Sequence, residues 1–272
     1  MSIICPTILA SEAHAYREQM ERIESFARLD LPKIPAYSEL SESSITSFSA
    51  VNVPKGTSPS HKRTSESILD SSGESEVLRK SSLRIQIDLK DGEFALGECV
   101  NLAQVWWPKD IISDLHLMYK NPDKHLAQIA KLKPSLVIVH AESNCDIPKF
   151  AACLREQGIK TGLAVLQDTQ IIDVEYLLPH VQHLLIFSGD LGKFGGQADL
   201  SLINKITQAK SKHKYLEVGW DGGINIDNCK QLAEAGVDVL NVGGAIQNAI
   251  KPQEAYATMS SEVITDDKKT NN

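Results

Sequence analysis

"RIQIDLKDGEF", residues 84–94, decides how the rest of the chain is read. Taken as a strand, it places Gln86, Asp88 and Lys90 in a row, because side chains two apart on a strand share a face. An amide, a carboxylate and an ammonium on one face of a buried strand are costly unless they are paired or bound to something. Either the end of this strand is wet, or it belongs to a site.

Working outward from it, short apolar runs alternate with helical patterns. Before it lie "IICPTIL", a strand, and "EAHAYREQMERIESFA", whose apolar residues recur at helical spacing. After it come the strands "SDLHLMY", "SLVIVHA", "TGLAVL", "HLLIFSG", "YLEVGW" and "DVLNVGG". Helical stretches separate them: "PDKHLAQIAKL", "DIPKFAACLREQG", "DVEYLLPHV", "LSLINKITQAKSK" and "NCKQLAEAG", with "PQEAYATMSSEV" last. "ECVNLAQVWWPKD" fills the helical slot between the second and third strands. Strands that read as nearly continuous apolar runs are covered on both faces. Eight strand–helix units favour a closed (β/α)8 TIM barrel over an open doubly wound sheet. No G-x-G-x-x-G follows the first strand, which disfavours a dinucleotide fold.

The chain has 272 residues, within range of a single barrel of about 250. Its residues are 42% hydrophobic and 23% charged, ordinary for a soluble globular protein. A net charge of −7 argues against non-specific binding to nucleic acid or to an anionic membrane. No apolar run reaches the roughly 18 residues of a membrane span. "MSIICPTILASEA" has no basic region ahead of its apolar run, so no signal peptide is expected. The five cysteines, Cys5, Cys99, Cys145, Cys153 and Cys229, show no CxxC spacing and read as reduced thiols of a cytoplasmic protein. Residues 38–82 are serine-rich and poor in large apolar groups, too little to offset the entropy of ordering. They read as a disordered insertion into one barrel domain formed by residues 1–37 and 83–264, with 265–272 a polar tail.

In barrels of this kind function sits at the C-terminal ends of the strands. Thr7 ends the first strand, His116 and Met118 the third, Asp221 the seventh. Glycine pairs follow the last three strands: Gly195 and Gly196, Gly222 and Gly223, Gly243 and Gly244. Glycine lets backbone N–H groups approach an anion closely, so three pairs at adjacent strand ends point to a phosphate cradle. Asp88, His116 and Asp221 are donors suited to a divalent metal such as Zn²⁺, Mn²⁺ or Fe²⁺. Two carboxylates from far-apart strands also suit proton removal on one face of a substrate and return on the other. Taken singly, His116 reads first as a hydrogen-bonded core histidine, and Asp88 has the alternative of an ion pair with Lys90.

The series "CPTILA", "IDLKDGEF", "DLHLMYKNP", "VIVHAE", "GKFGGQ", "EVGWDGGIN" and "AEAGVDVLNVGGAI" resembles the ribulose-phosphate 3-epimerases, in order and through almost the whole chain outside the insertion and tail. The resemblance implies a TIM barrel that interconverts ribulose 5-phosphate and xylulose 5-phosphate through an enediolate held by a divalent metal. It implies Asp88 and Asp221 as the acid–base pair, with Asp88, His116 and Asp221 on the metal. Thr7 would stand where a substrate-contacting serine is found, and Met118 near the enediolate. Gly195, Gly196, Gly222, Gly223, Gly243 and Gly244 would hold the phosphate. The partner implied is a phosphorylated sugar. Barrels of this kind commonly associate, and a homo-oligomer is compatible with the sequence.

The departures from that pattern fall on the opening stretch. The family typically carries His-x-Asp-x-Met-Asp-Gly where this chain has Gln86-Ile-Asp88-Leu-Lys90-Asp91-Gly92. A metal-ligating histidine becomes an amide, and a methionine becomes Lys90. Ser188 stands for a second methionine, and Leu191-Gly192 for an Asn-Pro. Gly219 and Trp220 read as two added residues before Asp221, which keep it inward and could raise it by one pleat, about 6.6 Å. Three readings stay open: an epimerase with a weakened three-ligand metal site; an epimerase in which Lys90 replaces the metal electrostatically; and a sugar-phosphate-binding homologue without turnover. Related phosphate-barrel lyases use Asp-x-Lys-x-x-Asp, and Asp88, Lys90 and Glu93 nearly match it.

Overall fold

Eight parallel strands close on themselves in chain order, so the last pairs with the first and no sheet edge remains. They are β1 Ile3–Ile8, β2 Arg84–Lys90, β3 Ile112–Met118, β4 Leu136–His140, β5 Lys160–Val165, β6 His183–Phe187, β7 Glu217–Asp221 and β8 Val239–Val242. The computed structural model describes residues 2–28, 83–193 and 195–264; the expectations for 38–82 and 265–272 lie outside them. Closure is made by Ile3, Ile4, Cys5 and Pro6 in register with Val239, Leu240, Asn241 and Val242. A helix follows every strand except β2, and two follow β8: α1 Ala13–Glu24, α2 Leu126–Leu132, α3 Ile147–Glu156, α4 Ile171–Val174, α5 Ile203–Lys212, α6 Cys229–Glu234, α7 Gly244–Gln247 and α8 Pro252–Val263. This is the TIM barrel expected from the alternation of patterns.

Strand alternation divides the core in two. Outward residues such as Ile85, Ile87, Leu115 and Val137 pack with Tyr16, Met20, Phe150 and Leu232 of the helices in one large apolar cluster. Inside the barrel, Leu136, Ile138, Ala164 and Leu185 form a small separate cluster. Much of the rest of the interior is polar, with Met118 and Phe187 as apolar exceptions near the upper end. At the N-terminal end of the strands, Arg84 donates from Nε to Asp114 at 2.7 Å and from Nη1 and Nη2 to Glu217 at 2.9 Å each. His183 Nδ1 lies 2.6 Å from the same Glu217 carboxylate. Gly219 makes room for this imidazole, because a Cβ there would strike His183 Nε2. The ionic layer plugs the barrel bottom and leaves the upper strand ends open.

The expectation of a helix over "ECVNLAQVWWPKD" is corrected: residues 91–111 run irregularly from β2 to β3. Pro108 and the two tryptophans ahead of it favour an extended path. Long-range bonds hold that path, Tyr16 Oη donating to Trp106 O and Val100 N donating to Ala10 O at 3.0 Å. Val100, Leu102 and Val105 are buried in the place a helix would cover. "DVEYLLPHV" is likewise a short α4 followed by a 3-10 turn over Glu175–His180 that contains Pro179. α7, one turn after β8, had no counterpart in the periodicity. All five cysteines are free.

Candidate active site

β2 and β3 run in register, pairing Gln86 with Asp114, Asp88 with His116 and Lys90 with Met118. That register sets Asp88 and His116 side by side, and β7 brings Asp221 to the same level. Gln86 Nε2 donates to Asp88 Oδ1 at 2.9 Å and to Asp221 Oδ2 at 2.6 Å. His116 Nδ1 lies 2.9 Å from Asp88 Oδ1 and 3.8 Å from Asp221 Oδ2. Donor atoms of Asp88, His116 and Asp221 all lie within 4.8 Å of one another. Gly219 and Trp220 therefore do not carry Asp221 away from its partner. Gly219 faces the barrel interior, and Trp220 is buried outward in the apolar cluster, so Asp221 lands at the end of β7.

Burial, and next the negative charge of Asp88, push Asp221 well above the ordinary carboxylate range, against the pull of His116 and Gln86. Behind the carboxylates the polar chain continues. His116 Nε2 lies 2.8 Å from His140 Nε2, and His140 Nδ1 lies 3.5 Å from Glu142 Oε2. Burial pushes His140 down to about 4, so near neutral pH it carries one ring proton. Glu142 is held down to about 2: burial would raise it, but His140, Thr169 and the Leu166 amide outweigh that. Glu142 accepts from Leu166 N at 3.0 Å and from Thr169 Oγ1. The loop that supplies those donors is tied from below by Lys205, whose Nζ donates to Leu166 O at 2.9 Å, Gln167 O at 2.8 Å and Thr169 O at 2.8 Å.

Above the carboxylates a cleft of about 150 Å³ opens at the C-terminal face. Asp88, Asp221, Thr7 and Met118 line one part of it, and Gly195, Gly196, Gly222, Gly223, Gly243 and Gly244 another. Gly222 and Gly223 are required as glycines. Their φ values are +109° and +71°, and a Cβ would collide with Gly189 backbone in the first case and Ala198 backbone in the second. The β7 and β6 loops thus touch backbone to backbone. Ser188 joins the same contact, its N donating to Asp221 O at 2.7 Å and its Oγ accepting from Asp199 N at 2.7 Å.

Two expected residues stand apart from the cleft wall. His116 is fully buried beneath it. Lys90 does not line it, and its Nζ donates to Gly192 O at 3.1 Å across the barrel mouth. Glu93 is exposed, 3.9 Å from Lys120, so Asp88, Lys90 and Glu93 do not gather as a lyase-type cluster. Three residues at the site were not singled out in the sequence: His140, Glu142 and Asn241. Each is polar within or next to an apolar strand run, "VIVHAE" and "DVLNV", which is the signal that marks them.

With Nδ1 of His140 turned to Glu142, its Nε2 accepts from His116 Nε2, which leaves His116 Nδ1 with a lone pair against Asp88 Oδ1. Two electron-rich atoms at 2.9 Å need a proton or a cation between them. Gln86 Oε1 is buried without a partner, and rotation of its amide would present an oxygen to the same carboxylates. The residues fit a cation, with three ligands from Asp88, His116 and Asp221 and an amide oxygen within reach.

Fold and site define a (β/α)8 barrel with a carboxylate–imidazole centre beside a glycine-lined cleft. The model of the ribulose-phosphate 3-epimerase family matches residues 73–247, from ahead of β2 through β8 and α7, and the chain belongs to that family. It is 33% identical over 185 residues to the ribulose-phosphate 3-epimerase of Mycobacterium leprae, covering 64% of this chain and 81% of that one. The enzyme of the same name from Mycobacterium tuberculosis strain H37Rv is 32% identical over 185 residues, covering 64% and 80%. A solved structure of Mycobacterium tuberculosis tryptophan synthase matches with a TM-score of 0.52 at 11% identity, over 70% of this chain and 84% of that chain, and shows the shared fold alone. Among the described residues no helix is long and apolar enough to cross a membrane.

Proposed function

We propose that this protein is a ribulose-phosphate 3-epimerase, interconverting ribulose 5-phosphate and xylulose 5-phosphate by moving a proton at carbon 3. The observation that carries the reading is the junction of Asp88 and Asp221 on one Gln86 amide beside the glycine cleft. An epimerisation needs one base and one acid at the start. Two buried carboxyl groups this close favour sharing one proton, and the upward shift of Asp221 supports assigning that proton to it. Asp88 then takes the proton from carbon 3 on one face, and Asp221 returns one on the other; in the reverse direction the roles exchange. Both residues line the cleft that would receive the substrate. The glycine backbone of the β6, β7 and β8 loops would receive the phosphate and set carbon 3 over the carboxyl pair. Met118, fully buried, gives the reacting carbons an apolar wall and excludes water.

A divalent cation held by Asp88, His116 and Asp221 would supply positive charge to stabilise the enediolate. Replacing a histidine by Gln86 makes the fourth donor an oxygen, which favours Mn²⁺ or Fe²⁺ over Zn²⁺.

The test is proton exchange. Incubation of ribulose 5-phosphate with the enzyme in deuterium oxide should place deuterium at carbon 3, and Asp88→Asn should abolish it. No exchange by the wild type with any of the three metals added would overturn the reading.

A further inference from the structure

β8, Val239–Val242, is buried along its length and apolar apart from Asn241. Asn241 is 2% exposed, and neither its Oδ1 nor its Nδ2 has a partner among the described residues. It lines the cleft. On the neighbouring β1, Thr7 is 1% exposed, its Oγ1 is also unpartnered, and it lines the same cleft. Native interiors rarely leave such groups unpaired, and those that persist call for an explanation in a ligand or water. Two at one wall of one cleft mark a place that something polar fills.

The register says which part of a substrate reaches them. Asn241 is paired with Asp221 on one side and with Cys5 on the other. It therefore sits level with the carboxylate and one pleat below Gly243, at the phosphate-side end of the same strand. Thr7, two residues beyond Cys5, shares the inward face. A ligand that spans from the glycines to the carboxyl pair must pass this wall between its phosphate-bearing carbon and its reacting carbon. In a 5-phosphorylated ketopentose the group there is the hydroxyl of carbon 4.

We infer that Asn241, together with Thr7, binds the carbon 4 hydroxyl of the sugar phosphate and so decides which sugar chains the site accepts. The inference rests on the function proposed for the same cleft. A hydroxyl gives and takes one hydrogen bond at once, and the amide offers both: Nδ2 donates to the hydroxyl oxygen and Oδ1 accepts its hydrogen. A substrate lacking that hydroxyl would leave buried polar atoms unpaired, the arrangement that gives strong discrimination. Valine at this position would extend the apolar run of β8 and remove the orphaned amide.

That contrast gives a test whose sign separates the roles. Binding of D-ribulose 5-phosphate, its 4-deoxy analogue and inorganic phosphate is measured by calorimetry on the full chain, for the wild type, Asn241→Val and Thr7→Val. Thermal unfolding is followed on the same proteins. The wild type should bind ribulose 5-phosphate about tenfold or more tightly than the analogue. Asn241→Val should unfold at an equal or higher temperature, bind inorganic phosphate unchanged, and lose that preference; Thr7→Val should lose part of it. A wild type that does not distinguish the two sugars overturns the inference without recourse to any variant. So does Asn241→Val with the preference intact, or with lower stability and unchanged affinity, which is the mark of a structural asparagine. Deuterium exchange keeps the two claims apart. A wild type that exchanges at carbon 3 yet ignores the deoxy change sinks this inference alone. One that shows the Asn241-dependent preference without exchange sinks the epimerase reading alone.

Discussion

His116 and His140 face each other Nε2 to Nε2 at 2.8 Å, and only one of the two nitrogens can carry the proton between them. Glu142 beside His140 Nδ1 draws the His140 proton to that side, so the shared proton belongs to His116. The Glu142 charge thus favours the tautomer in which Nδ1 of His116 keeps its lone pair toward Asp88 and Asp221. Histidines that hold metals are oriented in this way by a partner on the other ring nitrogen, and losing the partner weakens the metal site about 10–100-fold. Replacement of His140 by phenylalanine should lower cobalt(II) affinity by that factor, with the cobalt absorption bands shifted in whatever complex remains. Unchanged affinity and spectrum would show that His140 merely fills space.

Gln86 is the amide that bridges Asp88 and Asp221, and in the metal site proposed above it would set which cation the pair prefers. With oxygen from Gln86 the donor set is three oxygens and one nitrogen; with histidine it gains a second nitrogen. Gln86→Val should weaken Mn²⁺ and Zn²⁺ alike. Gln86→His should raise Zn²⁺ affinity by about tenfold, roughly 1.4 kcal/mol, relative to Mn²⁺. Calorimetric titration of both ions into wild type and variants reads this directly; a zinc-to-manganese ratio in Gln86→His equal to that of the wild type, with both affinities unchanged in Gln86→Val, would exclude a role for the amide in the site.

The plug at the barrel bottom makes a prediction about acid stability. Burial would raise Glu217, but its hydrogen bond with His183 and the charge of Arg84 override burial and hold it well below its ordinary value of 4.5. A depressed carboxyl contributes stability that is present above its unfolded value and is lost as pH falls toward its folded one. The stability gap between wild type and Glu217→Gln should therefore be full near neutrality and narrow as pH drops below about 4.5. Asp114, which burial pushes up and the Glu217 charge pushes further, works in the opposite sense; the part due to burial is common to both proteins, and the part due to Glu217 is relieved in the variant. Arg84→Met leaves two carboxylates without their buried guanidinium and should cost about 3–5 kcal/mol in urea unfolding at neutral pH. A gap independent of pH would rule out the ion pairs as its source.

The parts of this architecture that local pattern could reveal are those set by neighbours in sequence. Strand runs such as "SLVIVHA" and helical spacing such as "DIPKFAACLREQG" report burial of one face or two, and the barrel follows from their alternation. The glycines after β6, β7 and β8 were legible for the same reason, since a turn against a cleft imposes residue type directly. Residues 98–110 were not, because what holds them extended is Tyr16, ninety positions away. Likewise, nothing within "VIVHAE" shows that His140 meets His116 from another strand, or within "DVLNV" that Asn241 goes unpartnered. Both depend on register between strands, which local periodicity does not carry.

Lys90 closes the question raised by the row of polar residues on β2. Its neighbours below have partners of their own: Arg84 in the bottom plug, Gln86 between the carboxylates, Asp88 with His116. Lys90, at the strand end, reaches over the mouth to Gly192 O, beside Gly97 and Ala95. An ammonium spent on that carbonyl ties the β2 loop to the β6 loop, which carries Gly195 and Gly196, instead of standing in for a cation at Asp88. Chelation should accordingly abolish turnover in the wild type, with activity restored by added metal. Lys90→Met should leave kcat within about threefold and raise KM for the sugar phosphate, because the phosphate-side loop loses one anchor worth about 1 kcal/mol. Turnover that survives exhaustive chelation in the wild type and disappears in Lys90→Met would reverse this assignment and make the lysine the electrostatic centre of the reaction.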